Sequence, residues 1–375
     1  MGTADPLATA PGTLQPRRDF LSRLRRRQGI RPRSWRRVGQ SFTVTFIATV
    51  LLAAFLSPLL RSFIISIKSP EQNAIVDGPI LPSTPATYTY RGRDFAVYIV
   101  PLSDGSTREL ALVRKGRTSS QFIDPKDASQ TLITWQGQWR NLSPAYALDP
   151  QWHNYSDVWD QIEYPRLLFN TVAIAVIGTV GTILSCTLVA YGFARFRFPG
   201  RNLLFILVIA TIFLPSTVTI IPEYFVFNKI GWVGTWLPLL VPAFFANAYD
   251  VFLLRQYLLT IPREMDEAAA IDGAGPMRTL ISVLIPQAWP VIIAVAVFHL
   301  VYSWNDFFAP LIYLSTNPDL ITLPVGLATF SGARIAVNPG LIQAGTLMTM
   351  IIPVVLFLIF QRVFTRGIVI TGVER

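Results

Sequence analysis

The chain is predicted to be an all-α polytopic membrane protein of six transmembrane helices, with a small β-rich extracytoplasmic insertion between helices 1 and 2. Three observations carry this prediction. Only 14% of the 375 residues are charged while 51% are hydrophobic, against roughly a quarter charged in soluble domains. The charges are missing from stretches long enough to cross a bilayer, which takes about 20 apolar residues. Basic residues also alternate in abundance between successive short loops, as the positive-inside rule requires.

Residues 1–40 are polar and rich in Arg and Pro, with ten arginines between Arg17 and Arg37. The formal net charge of +10 is concentrated there, immediately ahead of an apolar stretch. That position reads as a cytoplasmic anchor of topology rather than a nucleic-acid face. The first span is predicted at Phe42–Ser66, too long for a signal-peptide core and with no small-residue cleavage site after it. Spans two to six are predicted at Leu167–Phe193, Leu203–Val226, Leu237–Leu259, Val291–Leu314 and Leu341–Phe360. Both termini then lie inside. Arg195, Arg197 and Arg201 occupy one inside loop, and Arg366 and Arg375 the C-terminal tail 363–375, with Arg362 immediately before it. The short outside loops hold only Lys229 and Arg334; the long insertion, rich in Lys and Arg, does not count in the positive-inside rule.

Residues 68–165 form the insertion. Runs at Ala86–Tyr90, Phe95–Val100, Glu109–Val113 and Gln130–Trp135 are rich in β-branched and aromatic residues. Asp104-Gly105 between two of them signals a hairpin. So short a sheet is expected to lean on the membrane helices or on a partner. Trp152, Trp159 and Tyr164 stand where an interfacial aromatic belt would lie.

The inside loop at 260–290 has the most informative sequence, Ile261-Pro-Arg-Glu-Met-Asp-Glu-Ala-Ala-Ala-Ile-Asp-Gly-Ala-Gly-Pro276. Pro262 suits a first helical turn, and Glu264, Asp266 and Glu267 suit a helix N-terminus. Three alanines favour the helix, and Gly273, Gly275 and Pro276 stop it. A short helix outside the bilayer results, with acids, small side chains and a sharp exit. Such an element fits docking to a partner.

Glu267-Ala268-Ala269, three residues, Gly273, nine residues, Val283, one residue, Ile285-Pro286 resembles the EAA loop of binding-protein-dependent ABC importer permeases. Further segments resemble the carbohydrate-uptake branch typified by the G-type subunit of maltose transporters. They are Asn170-Thr171, Ala190–Arg201, Ile221-Pro-Glu-Tyr224, Phe252–Gln256, Trp304-Asn-Asp306, Gln361-Arg362 and Gly372-Val373. The resemblance covers the first helix and residues 154–375, and leaves out most of the insertion. It implies a type I importer permease core over 166–362, in a bacterial inner membrane. The loop would be a coupling helix against a separate ATPase subunit dimer, with docking residues Glu267, Ala268, Ala269 and Gly273, flanked by Glu264 and Asp272. It also implies a second permease subunit, an extracytoplasmic solute-binding protein and alternating access.

The chain has no G-x-x-x-x-G-K-[ST] loop, so ATP and Mg are expected in the partner ATPase subunits and no cofactor in this chain. His153 and His299 lack metal-ligand spacing, and the single cysteine, Cys186, permits no internal disulfide. No nucleophile–base pair stands out, so an enzyme is not expected. Polar residues within spans mark a candidate substrate path: Asn247, Asp250, His299, Tyr302 and Asn305, with Asn170 and Asp306 nearby. Asp250 is expected to pair with Arg255 or with a partner helix. Tyr302, Trp304 and Asn305 mix amide and aromatic groups as a sugar requires. A sugar or oligosaccharide is the expected cargo. A peptide, polyamine or glycerol phosphate is the alternative within transport, and a membrane-anchored ligand sensor the alternative outside it.

Overall fold

The computed structural model describes residues 35–369 except 76–77, 103, 128 and 335–337. The tail up to residue 34, Gly372-Val373 and Arg375 lie outside the described residues, as do the side chains of Arg36, Arg37, Arg334, Arg362 and Arg366. The chain divides into two units, Met1–Leu59 and Leu60–Arg375. Of the first, the structure describes helix α1 (Trp35–Ser66) up to the boundary, with exposed apolar side chains from Phe42 to Leu59.

The second unit is mostly helical. Among the described residues of the whole chain, α1 included, five helical segments are long and apolar enough to cross a membrane, and a bent pair would make a sixth if it counts as one span. Short α2 (Pro70–Ala74) opens the insertion and α3 (His153–Gln161) closes it. Then α4 (Tyr164–Arg195) runs unbroken for 32 residues, about 48 Å. The predicted third span is instead α5 (Arg201–Ala210) and α6 (Ser216–Lys229), within a pair of segments bent by 101°. Pro215, in extended conformation, separates them, because proline cannot continue a helical hydrogen-bond ladder. The predicted fourth span is also interrupted. Between α7 (Leu237–Leu240) with its 3₁₀ extension and α8 (Ala248–Thr260) stands Ala246 at φ 60°. Asn247 caps α8, accepting a bond from the Asp250 amide at 2.9 Å.

The fifth span begins earlier and ends sooner than Val291–Leu314. It runs Pro276–Asn305, through α10 (Pro276–Thr279), a π turn at Leu280–Leu284 and α11 (Ile285–Asn305); α9 is the docking-loop helix Glu264–Ile271. The wider π turn accommodates the ring of Pro286, so 276–290 is helical and continuous with the candidate span Pro276–Asn305. At the far end Asp306 turns extended and its carboxylate accepts a bond from the Ala309 amide at 3.3 Å. This separates α12 (Phe308–Leu314) from the span. Two helices follow, α13 (Leu323–Arg334) and α14 (Pro339–Val369).

The apolar core of the unit lies between α4, α8 and the α10–α11 segment. Cys186, Ala190, Val251, Leu254, Leu258, Leu284 and Val295 are buried together there. A second cluster joins α3, α4, α13 and α14 through Val158, Tyr164, Leu167, Leu323, Leu341 and Ala344, with Trp304.

The insertion is an antiparallel meander of β2 (Thr87–Tyr90), β3 (Arg93–Pro101), β4 (Thr107–Arg114), β5 (Ser119–Ile123) and β6 (Leu132–Gln136), beside a two-stranded stem of β1 (Ser83–Pro85) and β7 (Tyr146–Leu148). The Asp104-Gly105 hairpin forms between β3 and β4 as predicted. The Asp104 carboxylate accepts bonds from the Ser106 amide and hydroxyl at 2.8 and 2.6 Å. Those bonds hold its carboxyl below the usual carboxylate range. The sheet, expected to lean on the membrane helices or on a partner, has a small core of its own. Val100, Leu110, Leu112 and Phe122 are buried under Trp135 and Trp139. The stem is tied down. Gln72 donates to the carbonyls of Pro79 and Leu81 and accepts from the Ser83 amide, and Asn154 donates to the carbonyls of Ser66 and Lys68.

Candidate functional site: the docking loop and the intramembrane polar residues

The loop after α8 folds into the short helix that its composition predicts. α9 (Glu264–Ile271) carries Glu264, Asp266 and Glu267 in its first turn, where the partial positive charge of the helix start favours them. At its end Gly273 takes φ 76°. The Gly273 amide donates to the Ala270 carbonyl at 3.0 Å and the Ala274 amide to that of Ala269 at 2.9 Å. This pair is a Schellman ending, which glycine adopts without the Cβ penalty. The chain can then turn into Pro276 and the fifth span.

Glu264, Glu267, Ala268, Asp272 and Gly273 are all exposed. Ala269 is not: it is 8% exposed and faces into the subunit. It therefore supports the loop from beneath instead of presenting a docking surface. The outward face holds something composition did not single out. Ile271 is 87% exposed and Met277 54%, so the loop presents apolar side chains as well as acids.

The loop is held from α4. The last turns of α4 carry Tyr191 and Arg195, both within the Ala190–Arg201 segment. Arg195 Nε lies 3.1 Å from Asp266 Oδ2, with the two side chains 8% and 24% exposed. Arg195 Nη2 donates to the Ile261 carbonyl at 3.0 Å, and the Tyr191 hydroxyl to the Pro276 carbonyl at 3.0 Å. Beside these contacts lies a cavity of about 310 Å³ lined by Arg195, Phe196, Arg263, Asp266, Glu267 and Thr279, among others. Sequence reasoning counted Asp266 only as a helix-start acid and Arg195 only as a topology marker. Their opposite charges, each at the inner end of its own element, were the available signal.

The intramembrane candidates fall into separate groups. Asn247 Nδ2 donates to Asp250 Oδ2 at 2.6 Å, and the Asn247 amide lies 3.4 Å from Cys186 Sγ. Asp250, buried, is thus occupied by its own helix cap. Arg255 does not pair with it: its Nε donates to the Phe193 carbonyl and its guanidinium sits 4.0 Å from the centre of the Phe205 ring. The half-buried His299 has Nδ1 3.3 Å from the Thr182 hydroxyl, and its ring lies 6.4 Å from that of Tyr302. Tyr302 is 66% exposed, whereas Trp304 is buried in the second core cluster and leaves the candidate path. Asn305 is exposed but spends its amide on the Val301 carbonyl at 2.8 Å. Asn170 is structural, donating to the carbonyls of Asp319 and Ile321. One residue was missed: Glu223 is exposed on α6, and its Oε2 accepts a bond from the Tyr313 hydroxyl at 3.4 Å. Among the described residues no group of three or more His, Cys, Asp or Glu side chains could hold a metal.

Comparison with known proteins bears on this arrangement. The sequence profile of a family described as the binding-protein-dependent transport system inner membrane component matches residues 181–369, half of the chain. The chain is 35% identical over 222 residues to an osmoprotective compounds uptake permease protein of Synechocystis, spanning 59% of this chain and 74% of that one. It is 35% identical over 205 residues to an arabinooligosaccharides transport system permease protein of Halalkalibacterium halodurans, spanning 55% and 72%. It is 34% identical over 227 residues to an sn-glycerol-3-phosphate transport system permease protein of Yersinia enterocolitica, spanning 58% and 79%. In fold it resembles a chain of a bacterial ABC transporter involved in the import of the acidic polysaccharide alginate, with TM-score 0.59 and 19% identity over 89% of this chain and 99% of that one.

Proposed function

We propose, from the premise that this chain belongs to the family of binding-protein-dependent transport system inner membrane components, that it forms half of the route by which an ATP-driven importer takes up a sugar or oligosaccharide. Belonging to that family makes it a multi-pass inner-membrane permease subunit. The cargo, the partners and the residues that serve them are our reading.

The observation that carries the reading is the position of the α9 helix. Through Arg195–Asp266 and Tyr191–Pro276 it shares one end of the bundle with the C-terminus of α4. The opposite end of α4 shares its cluster with α3, α13 and the start of α14, and the stem of the insertion is tied there through Asn154. The docking helix and the insertion thus lie at opposite ends. The positive-inside rule assigns the α9 end to the cytoplasm, where ATP is available, and the insertion to the outside, where a binding protein would deliver cargo. Between Arg195 and Asp266 the chain must cross the bilayer an even number of times. This supports counting both the bent α5–α6 pair and the broken α7–α8 segment as crossings, six in all, with both termini inside.

In this reading Glu264, Glu267, Ala268, Asp272 and Gly273 dock a dimer of ATPase subunits that hold the ATP and Mg, with Ile271 and Met277 as apolar contacts. A second permease and lipid cover the exposed apolar faces of the spans. Closure of the ATPase dimer would move α9 and switch the path from outward-facing to inward-facing. The exposed Tyr302, with His299 half-buried beside it, supplies the aromatic and polar surface that a sugar ring and its hydroxyls call for. The arabinooligosaccharide relative favours a sugar. The relatives named for osmoprotective compounds and glycerol phosphate favour a second reading, another small polar solute. Stimulated ATP hydrolysis by the assembled complex separates the two. Hydrolysis that rises with neutral oligosaccharides supports the first, and a rise only with glycerol phosphate, polyamine or peptide overturns it.

The docking role is tested by Glu267→Ala combined with Gly273→Val. Valine at a left-handed position costs about 1–2 kcal/mol locally, and the Schellman exit should open. Uptake should be abolished and the ATPase subunit should no longer co-purify. Wild-type uptake and co-purification in this double variant would refute the role.

A further inference from the structure

We infer that the Arg195–Asp266 ion pair is the strut that carries movement of the α9 helix into α4, which makes both side chains positioning residues for coupling. The inference rests on the docking role proposed for α9 and adds the route by which its displacement reaches the membrane.

Apart from its contacts with α4, α9 is held by the buried Ala269 and by the Gln287 amide, which donates to Met265 Sδ at 3.1 Å. It is an eight-residue helix entered through Ile261–Arg263 and left through Asp272–Gly275, a segment with two glycines, one of them left-handed. Glycine linkers absorb rotation, so a push on the outer face of α9 could dissipate in them. The subunit instead grips the loop at three places from a single element. Arg195 reaches the entry at the Ile261 carbonyl and the helix itself at Asp266, and Tyr191 reaches the exit at the Pro276 carbonyl. The Arg195 side chain is almost wholly buried, so its guanidinium has exchanged water for one hydrogen bond to the Ile261 carbonyl and an ion-pair contact with Asp266. A desolvated charge resists separation from its counter-ion far more strongly than an exposed one. α4 is suited to relay the movement. It is an unbroken helix whose far end, at Tyr164 and Leu167, packs on Leu323 and Leu341. A Cβ on Gly326 of α13 would meet Leu167 Cδ1 at 2.3 Å, so that end has no slack. Displacement of the inner end of α4 is therefore passed on to α13 and α14 as rigid-body movement. The other charged groups facing the pair are Arg263 and Glu267, across the adjoining cavity.

The test uses the full complex, with ATPase subunits and binding protein, in proteoliposomes. It measures cargo moved per ATP hydrolysed together with co-purification of the ATPase. Asp266→Asn and Arg195→Gln should retain the ATPase subunit, because the outer face of α9 is untouched, while cargo per ATP falls about ten-fold. Arg195→Lys keeps the charge opposite Asp266 but gives up the fork that also reaches the Ile261 carbonyl, so it should lose clearly less cargo per ATP than Arg195→Gln. The exchange Arg195→Asp with Asp266→Arg should recover part of the loss. Unchanged cargo per ATP in both single variants overturns the inference, and so does an equal loss in Arg195→Lys and Arg195→Gln. Should the neutral variants fail to accumulate, Tyr191→Phe, which removes one hydroxyl and no charge, serves instead. It should lower cargo per ATP by about five-fold, and an unchanged ratio counts against the strut. Wild-type behaviour of the Glu267→Ala, Gly273→Val variant would refute the docking role itself, whatever Arg195 does.

Discussion

Asn170 illustrates how a polar residue inside a span is used. It is buried near the start of α4, and its amide holds the carbonyls of Asp319 and Ile321 at 2.8 and 2.9 Å. Arg166, one turn earlier, pairs with Asp319 and Glu163. These bonds fasten the 317–322 connection to α4 in a region where unpaired carbonyls would be costly. We therefore predict that Asn170→Ala destabilises the detergent-solubilised subunit by about 1–3 kcal/mol, visible as a lower unfolding temperature. The apparent KM for cargo should stay within about two-fold of wild type. Asp250 and Trp304 belong to the same lesson. Each looked like a path residue because of its chemistry, and each is consumed by packing or capping. Tyr302, Asn305 and Glu223 are left exposed.

At the scale of elements, the insertion behaves as a unit on a short stem. Its meander has a separate core, and its entry and exit strands face each other with Pro85 opposite Tyr146. A two-residue turn can join those positions. Replacing residues 86–145 with Asn-Gly should leave membrane levels and ATPase co-purification at wild-type values, because the Gln72 and Asn154 contacts survive. Co-purification lost in this deletion would show that the sheet braces the helices after all. The strands were partly legible. The runs at Thr87–Tyr90, Arg93–Pro101, Thr107–Arg114 and Leu132–Gln136 announced themselves by composition. Ser119–Ile123 did not, because two serines and a glutamine hide the buried Phe122 and Ile123. Breaks in the helices were harder still. Asn247 and Asp306 end or start helices with short polar side chains, and an apolar count over a window averages such positions away.

For the whole molecule, the contacts at either end of α4 fix which loops share a side. Cys186 is fully buried, so single-cysteine labelling needs little background correction. Lys126→Cys on the insertion and Asp272→Cys beside α9 both offer exposed positions. A membrane-impermeant maleimide should label the first in intact cells and the second only after permeabilisation. Labelling of both from outside would contradict the six-crossing topology.

The sequence by itself determined that the protein lives in a membrane, that long apolar helices make up most of it, and that a short acidic helix follows α8. Hydrophobic length, loop charge and glycine placement are local properties, and each acts where it is written. Only the tertiary structure decided what Arg195 and Asp266 do, which intramembrane polar groups are spent on structure, and that Ala269 faces inward. Those outcomes depend on which helices meet. Arg195 and Asp266 are 71 positions apart in the chain, and their pairing follows from α4 and α8 packing on the same core. That core is built from side chains whose apolar character was visible but whose partners were not.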